Sequence, residues 1–200
     1  MIYEGPDQQQ FSYIASILAQ ALASGARCAY LNSPDLVFTF RAYLGHAGID
    51  VDAEIRKGTL ILSSERAHLA NGRFNASLML DSLAVMCTQA EADGFQKLFV
   101  TGDMTWEFGA RQNFTELLAY ERGLERLFTQ FPILHGICQY HKDTLPTSAL
   151  RDALCTHQTV YLNQTLFRLN PYFDAAADTA KSSPIPTDIK DLLDRFRQHH

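Results

Sequence analysis

A chain of 200 residues that is 46% hydrophobic and 20% charged can bury the core of one domain and is too apolar to be disordered. Its 17 Lys and Arg against 22 Asp and Glu leave a net charge of -5, the wrong sign for a phosphate-driven grip on nucleic acid. No apolar run reaches the length of a membrane span and no basic-then-apolar leader opens the chain, so a soluble, cytoplasmic protein is expected, with neither nucleic acid nor membrane as a direct partner.

Met1-Ile2-Tyr3 reads as a short apolar strand. Phe11, Ile14, Ile17, Leu18, Ala21 and Leu22 recur at helical spacing and predict a helix over 11–23, followed by a strand over 27–31. Ser33 as N-cap with Pro34 in the first turn opens a helix through Leu44 that stops near Gly45 or Gly48. A strand over 59–62 comes next, then a helix capped by Asn75, running to about Ala92 and closed by Gly94. Leu98-Phe99-Val100 is a strand whose unbroken apolar character suits a sheet covered on both faces. A helix over 114–131 ends at Pro132, a strand occupies 133–140, and a short helix spans 146–155. Two β-prone runs, 159–162 and 166–169, flank Asn163-Gln164 and predict an edge hairpin.

Strands spaced by helices of this length imply an α/β fold, three layers deep, with a mostly parallel, doubly wound sheet. One domain is expected over 1–170, a linker over 171–186 where the texture turns to Asp, Ala, Ser and Pro, and a short amphipathic helix over 187–200. That helix carries Ile189, Leu192, Leu193 and Phe196 as a stripe, which fits docking on its own domain or a partner or homodimer contact equally well. Cys28, Cys87, Cys138 and Cys155 lack CxxC spacing and sit in apolar surroundings, so buried reduced thiols are expected.

Ligands of open α/β sheets sit outside the carboxyl ends of the strands. The first such end here runs from Tyr3 and Glu4 through Gly5 to Gln10, Phe11 and Ser12. Against the phosphate-loop pattern G-x-x-x-x-G-K-[ST], Gly5 and Ser12 fit, while Gln10 replaces a glycine needed for close backbone approach and Phe11 replaces the lysine. Phosphoryl transfer is therefore not expected, and an ordinary polar loop is the competing account. Asn32 ends the second strand, and Asp103 stands where a magnesium-holding acid would, but with no lysine loop opposite it reads as a cap or pocket residue. Trp106 and Tyr140 join Tyr3 as aromatic groups of a strand-end pocket for a small molecule.

Glu121 lies on the apolar face of its helix, beside Leu117, Leu118 and Leu124, and a buried carboxylate demands a partner. A rim salt bridge to Arg122 or Arg126 is one account; a polar group reaching a pocket or holding a loop is the other. His135, Cys138 and His141 fail as a metal set because Cys138 points to the opposite side of a strand, and Cys155 and His157 read as a core thiol and a surface imidazole. No catalytic residue, metal or cofactor is expected.

The succession Tyr3-Glu4, Gly48-Ile49-Asp50-Val51, Gly58-Thr59-Leu60, Gly102-Asp103-Met104-Thr105-Trp106, Tyr120-Glu121, Cys138-Gln139-Tyr140 and His157-Gln158-Thr159-Val160 resembles the MEDS domain, the methanogen/methylotroph, DcmR-type sensory domain, over residues 1–163. The resemblance implies a degenerate relative of the RecA-like ATPases, in keeping with the altered Gly5–Ser12 loop. It also implies a sensor of small, hydrocarbon-like molecules that works with DNA-binding or histidine-kinase output modules. The chain departs from the family in having Met1-Ile2 where a histidine commonly opens the first strand, and no output domain is read after residue 170. The expectation is a non-enzymatic ligand-binding module that signals through a separate regulatory protein. A nucleotide-dependent enzyme or switch with altered phosphate contacts is the rival, and a purely structural interaction domain the third reading.

Overall fold

The computed structural model describes residues 1–6, 8–65, 68–107, 114–173 and 188–198, and the side chains of Trp106, Glu107, Thr115 and Ile189 lie outside that description. Strand β1 (Ile2–Tyr3) leads into helix α1 (Phe11–Ala23), whose buried Phe11, Ile14, Ala15 and Leu18 trace the apolar stripe of a 3.6-residue repeat. Strand β2 (Arg27–Leu31) precedes α2 (Pro34–His46). Pro34 holds the first turn as expected, but the Ser33 hydroxyl makes no capping bond; the Ser33 N–H donates to Asn32 Oδ1 at 2.8 Å instead.

Three short elements before Asn75 escape the sequence reading. Helix α3 (Val51–Arg56) starts at Asp50, whose carboxylate accepts from the Ala53 N–H at 3.0 Å. After β3 (Leu60–Ser63), strands β4 (Leu69–Ala70) and β5 (Arg73–Phe74) form a small antiparallel hairpin. Asn71 and Gly72 turn it with φ of 52° and 71°, the paired left-handed conformations of a type I′ turn.

Helix α4 (Ala76–Ala92) begins where expected, with Asn75 Oδ1 accepting from the Leu78 N–H at 2.9 Å, and Gly94 follows it at φ 87°. Strand β6 (Leu98–Asp103) runs three residues beyond Val100, so Gly102 and Asp103 belong to the strand, and α5 (Met104–Glu107) occupies most of the expected loop. The reason lies in its neighbours: β6 is paired on both sides, and the ladder carries it through polar Thr101 to Asp103, which pairs with Gln139. A 3-10 turn (Phe114–Glu116) enters α6 (Leu117–Gln130), followed by β7 (Leu134–His141), α7 (Thr147–Thr156), β8 (Val160–Leu162), β9 (Thr165–Phe167) and α8 (Ile189–Gln198).

Seven strands form one sheet in the order β3-β2-β6-β7-β1-β8-β9, parallel at every pairing except the terminal β8–β9 hairpin. Each face has its own core. One packs Phe11, Ile14 and Leu18 of α1 and Phe40 and Leu44 of α2 on Cys28, Tyr30 and Leu60. The other packs α4, α6 and α7 on Ile2, Val100, Leu134 and Tyr140. The architecture is α/β, with a mostly parallel sheet between two helical layers.

Helix α8 buries Leu192 and Phe196 on this second core; the Phe196 ring meets Phe167 at 4.9 Å and Tyr172 at 5.9 Å. Leu192 and Phe196 of the stripe thus dock on their own domain, with Leu193 packed at the edge of the same core. Asn170 fastens the approach, with Nδ2 donating to the carbonyls of Leu154 (2.6 Å) and His157 (2.7 Å). Residues 174–187, most of the expected linker, lie outside the described residues. Among the described residues no helix is long and apolar enough to cross a membrane.

Candidate functional site

The turn after β1 is bonded to itself. The Gln9 and Phe11 N–H groups donate to the Pro6 and Gln8 carbonyls at 2.8 and 3.1 Å, and the Gly5 N–H donates to the Asp143 carboxylate at 2.9 Å. A phosphate cradle needs those amides aimed outward at an anion; here carbonyls and one internal carboxylate already hold them. Phe11 is fully buried, its ring edge-on to Phe40 (5.2 Å) and Tyr43 (5.3 Å), while Ser12 is exposed. Lys142, which follows β7, contacts Glu4 at 3.4 Å. Asp7 lies outside the described residues.

Beside the turn, polar groups are linked across the sheet. The Tyr3 hydroxyl donates to Asp103 at 2.8 Å, and Gln10 Nε2 approaches Gln139 Oε1 at 3.5 Å. Gln139 in turn donates to Thr101 Oγ1 (2.8 Å), which donates to the Ile137 carbonyl (2.7 Å). Asn32 is buried and donates to the Tyr30 hydroxyl at 2.8 Å. A shallow hollow lined by Tyr3, Gln9, Gln10, Asn163, Gln164 and Thr165 remains, with no cationic side chain in its wall.

Sheet register separates the expected pocket residues. Tyr3 pairs with His141 and Ile2 with Tyr140, so Tyr3 and Tyr140 project from opposite faces and do not converge. Trp106 falls in α5, and its side chain lies outside the described residues.

On the Tyr140 face a different site forms. A cavity of about 160 Å³ opens beneath α4 and α6, walled mainly by Met79, Leu83, Val100, Leu124, Phe128 and Leu134. Two glycines of the sheet, Gly102 and Gly136, contribute no side chain to it; a Cβ on Gly136 would stand 2.5 Å from the Val100 carbonyl oxygen. The cavity reaches the edge of β7, which β1 pairs only at Tyr140 and His141, and there Met1, Cys138, His157, Thr159 and Tyr161 complete its wall.

Glu121 sits behind this wall, 2% exposed. The Tyr140 hydroxyl donates to its Oε1, and Oε2 lies 3.4 Å from His157 Nε2, an ion pair whenever the imidazole is protonated. Neither Arg122 nor Arg126 takes the role that a rim salt bridge would give it; the carboxylate instead joins α6 to β7 and to the end of α7. Burial pushes the Glu121 carboxyl above the ordinary carboxylate range, opposed by the His157 charge and the Tyr140 hydrogen bond. Burial, then the Glu121 charge, raises the Tyr140 phenol well above its usual value. Cys138 Sγ, a Glu121 carboxylate oxygen and a His157 ring nitrogen all lie within 4.8 Å of one another.

Of the expected site residues Glu121 and Tyr140 meet at this wall, and Cys138 and His157, which the sequence reading left out, stand beside them. Cys138 shares strand parity with Tyr140, and Glu121 faces the sheet from its helix, so two of the three were within reach. His157 enters from 36 residues beyond Glu121 along the chain, and nothing local to it signals that meeting.

The fold is α/β, and its described residues enclose a mostly apolar cavity, with a few polar groups in one wall, between a mostly parallel sheet and its helices. The chain belongs to the MEDS family: its model, described as the methanogen/methylotroph, DcmR sensory domain, matches residues 1–158. Among curated proteins the chain is 32% identical over 113 residues to the transcriptional repressor DcmR of Methylorubrum extorquens (strain DSM 6343 / CIP 106787 / DM4). That stretch is 56% of this chain and 40% of the relative, so the match spans well under half of the repressor's length.

Proposed function

We propose that this domain is a non-catalytic sensory module that takes a small, predominantly apolar molecule into the cavity under α4 and α6 and signals its presence to a separate regulatory protein. One observation carries the reading: the cavity of about 160 Å³ has mostly apolar walls and a few polar groups at one side. An apolar protein cavity of roughly 150 Å³ admits benzene, so the ligand has on the order of six heavy atoms. The family's sensory description and the likeness to a transcriptional repressor support a regulatory role. Self-bonded amides at the Gly5–Ser12 turn and the buried Phe11 favour a module that works without a nucleotide, as a RecA-like phosphate loop that has lost its use would.

The test is native mass spectrometry of freshly purified protein for a co-purifying small molecule, followed by thermal-shift titration with benzene, short alkanes and short haloalkanes. Saturable stabilisation by at least one of these supports the reading. A flat response across the panel, with no co-purified molecule, overturns it. Calorimetry with millimolar Mg-ATP addresses the nucleotide alternative, and a saturable signal there would transfer the function to it.

A further inference from the structure

Beside the cavity, three metal-ligating atoms come from three separate elements. Glu121 projects from α6, Cys138 from β7, and His157 follows the last turn of α7. Bond lengths of about 2.0 Å to nitrogen or oxygen and 2.3 Å to sulfur place tetrahedral donor atoms roughly 3.3–3.6 Å apart. The Glu121–His157 separation of 3.4 Å already meets that spacing, and the whole set, within 4.8 Å, needs side-chain adjustments on the order of 1 Å.

The supporting bonds are those that ligands receive at metal sites. His157 Nδ1 lies 2.8 Å from the Ala153 carbonyl, and a carbonyl only accepts, so Nδ1 carries the proton and Nε2 faces Glu121. Metal-bound histidines are oriented by this same kind of second bond. The Tyr140 hydroxyl holds Glu121 Oε1, leaving Oε2 directed at the cluster. Glu121 already faces the His157 imidazole and the field of the Met1 ammonium, and a divalent ion would bring two further positive charges to this buried carboxylate.

We propose that Glu121 Oε2, Cys138 Sγ and His157 Nε2 form a three-ligand site for a borderline divalent transition metal of the zinc type, with its fourth position open to the cavity. Thiolate, imidazole and carboxylate together match zinc or cobalt(II) and not magnesium or calcium, which take oxygen sets. Cys138 and His157 both line the cavity, so water or a donor atom of a small ligand can reach the fourth position. Binding releases the Cys138 thiol proton to solvent. The inference stands apart from the apolar-ligand reading, since it rests on donor geometry alone and is tested with metal alone.

The full chain, stripped with chelator, is titrated with cobalt(II). One equivalent should bring a thiolate-to-cobalt absorption in the near ultraviolet and tetrahedral bands in the visible, displaced by zinc. Cys138→Ser should abolish the thiolate band, His157→Ala should weaken affinity at least 100-fold, and Cys155→Ser should change neither. As a second reading, one equivalent of zinc should slow iodoacetamide labelling of Cys138 at least tenfold. Burial pushes the Cys28 and Cys87 thiols up to about 12 and about 11, so those two stay largely unreactive and do not mask the effect. Cobalt spectra without a thiolate band, or one-equivalent binding that survives both Cys138→Ser and His157→Ala in folded protein, overturn the proposal. If Cys138→Ser or His157→Ala fails to fold, labelling protection in the unmutated chain still decides.

Discussion

The turn after β1 and the cavity beneath α4 and α6 serve the same sheet and have opposite characters. At the turn, the Gly5, Gln9 and Phe11 N–H groups are held by the protein's own oxygens, and the ring of Phe11 is sunk among Phe40 and Tyr43. At the cavity, glycines replace side chains at Gly102 and Gly136, and a thiol and an imidazole stand in the wall. A fold class that ordinarily binds at strand ends keeps only a shallow polar hollow there and has its apolar space on a sheet face instead. Fold alone does not place a site in this molecule; a site has to be argued from the residues.

Restoring the lysine at the turn is the harshest challenge to this contrast. Phe11→Lys removes a fully buried ring and puts an ammonium among aromatic side chains, so urea denaturation should show a loss of at least about 4 kcal/mol. No nucleotide binding should be gained, and a stable variant that titrates with Mg-ATP would erase the distinction between the two regions. Next in size, Glu121→Ala leaves the buried Tyr140 hydroxyl without its acceptor and should cost about 2–3 kcal/mol. Adding Tyr140→Phe to that variant should recover part of the loss, and a double-mutant cycle that is purely additive would show that the two groups are not coupled. Asn75→Ala removes an N-cap bond at 2.9 Å and should cost about 1 kcal/mol in thermal or chemical unfolding while leaving benzene-induced stabilisation intact. The smallest stability effect belongs to Val100→Phe, about 1 kcal/mol or less, because its ring enters existing space. The same variant should abolish the benzene response altogether, and a response that persisted would place the ligand elsewhere.

Much of the framework was legible because it is written in short-range signals. Asn75 and Gly94 bracket α4, the stripe from Phe11 to Leu18 marks α1, and Asn163 turns the terminal hairpin. Short elements were lost where such signals are brief: β4 and β5 have two residues each, although Asn71-Gly72 is a strong hairpin dipeptide, and Asp50 caps a helix of six residues. The far end of β6 was lost for another reason, since Thr101 and Asp103 are polar and only pairing makes them strand, Thr101 with both neighbours and Asp103 with β7 alone. Glu121 was readable as a carboxylate on an apolar face. Its partners were not, because the Glu121–His157 contact is set by where α7 ends against α6, a matter of tertiary packing.

Asn170 gives that contact mechanical reach. Its single amide nitrogen clamps the Leu154 and His157 carbonyls, and two residues further along Tyr172 lies against Phe196 of α8. The Glu121–His157 pair and the docked helix are thus geared through one side chain. A shift of the His157 backbone by more than about 0.5 Å either takes this 2.7 Å bond to the end of the ordinary hydrogen-bond range or carries Asn170 with it. The end of α7 is held by the same residue, Asn170, that precedes the chain segment lying against α8.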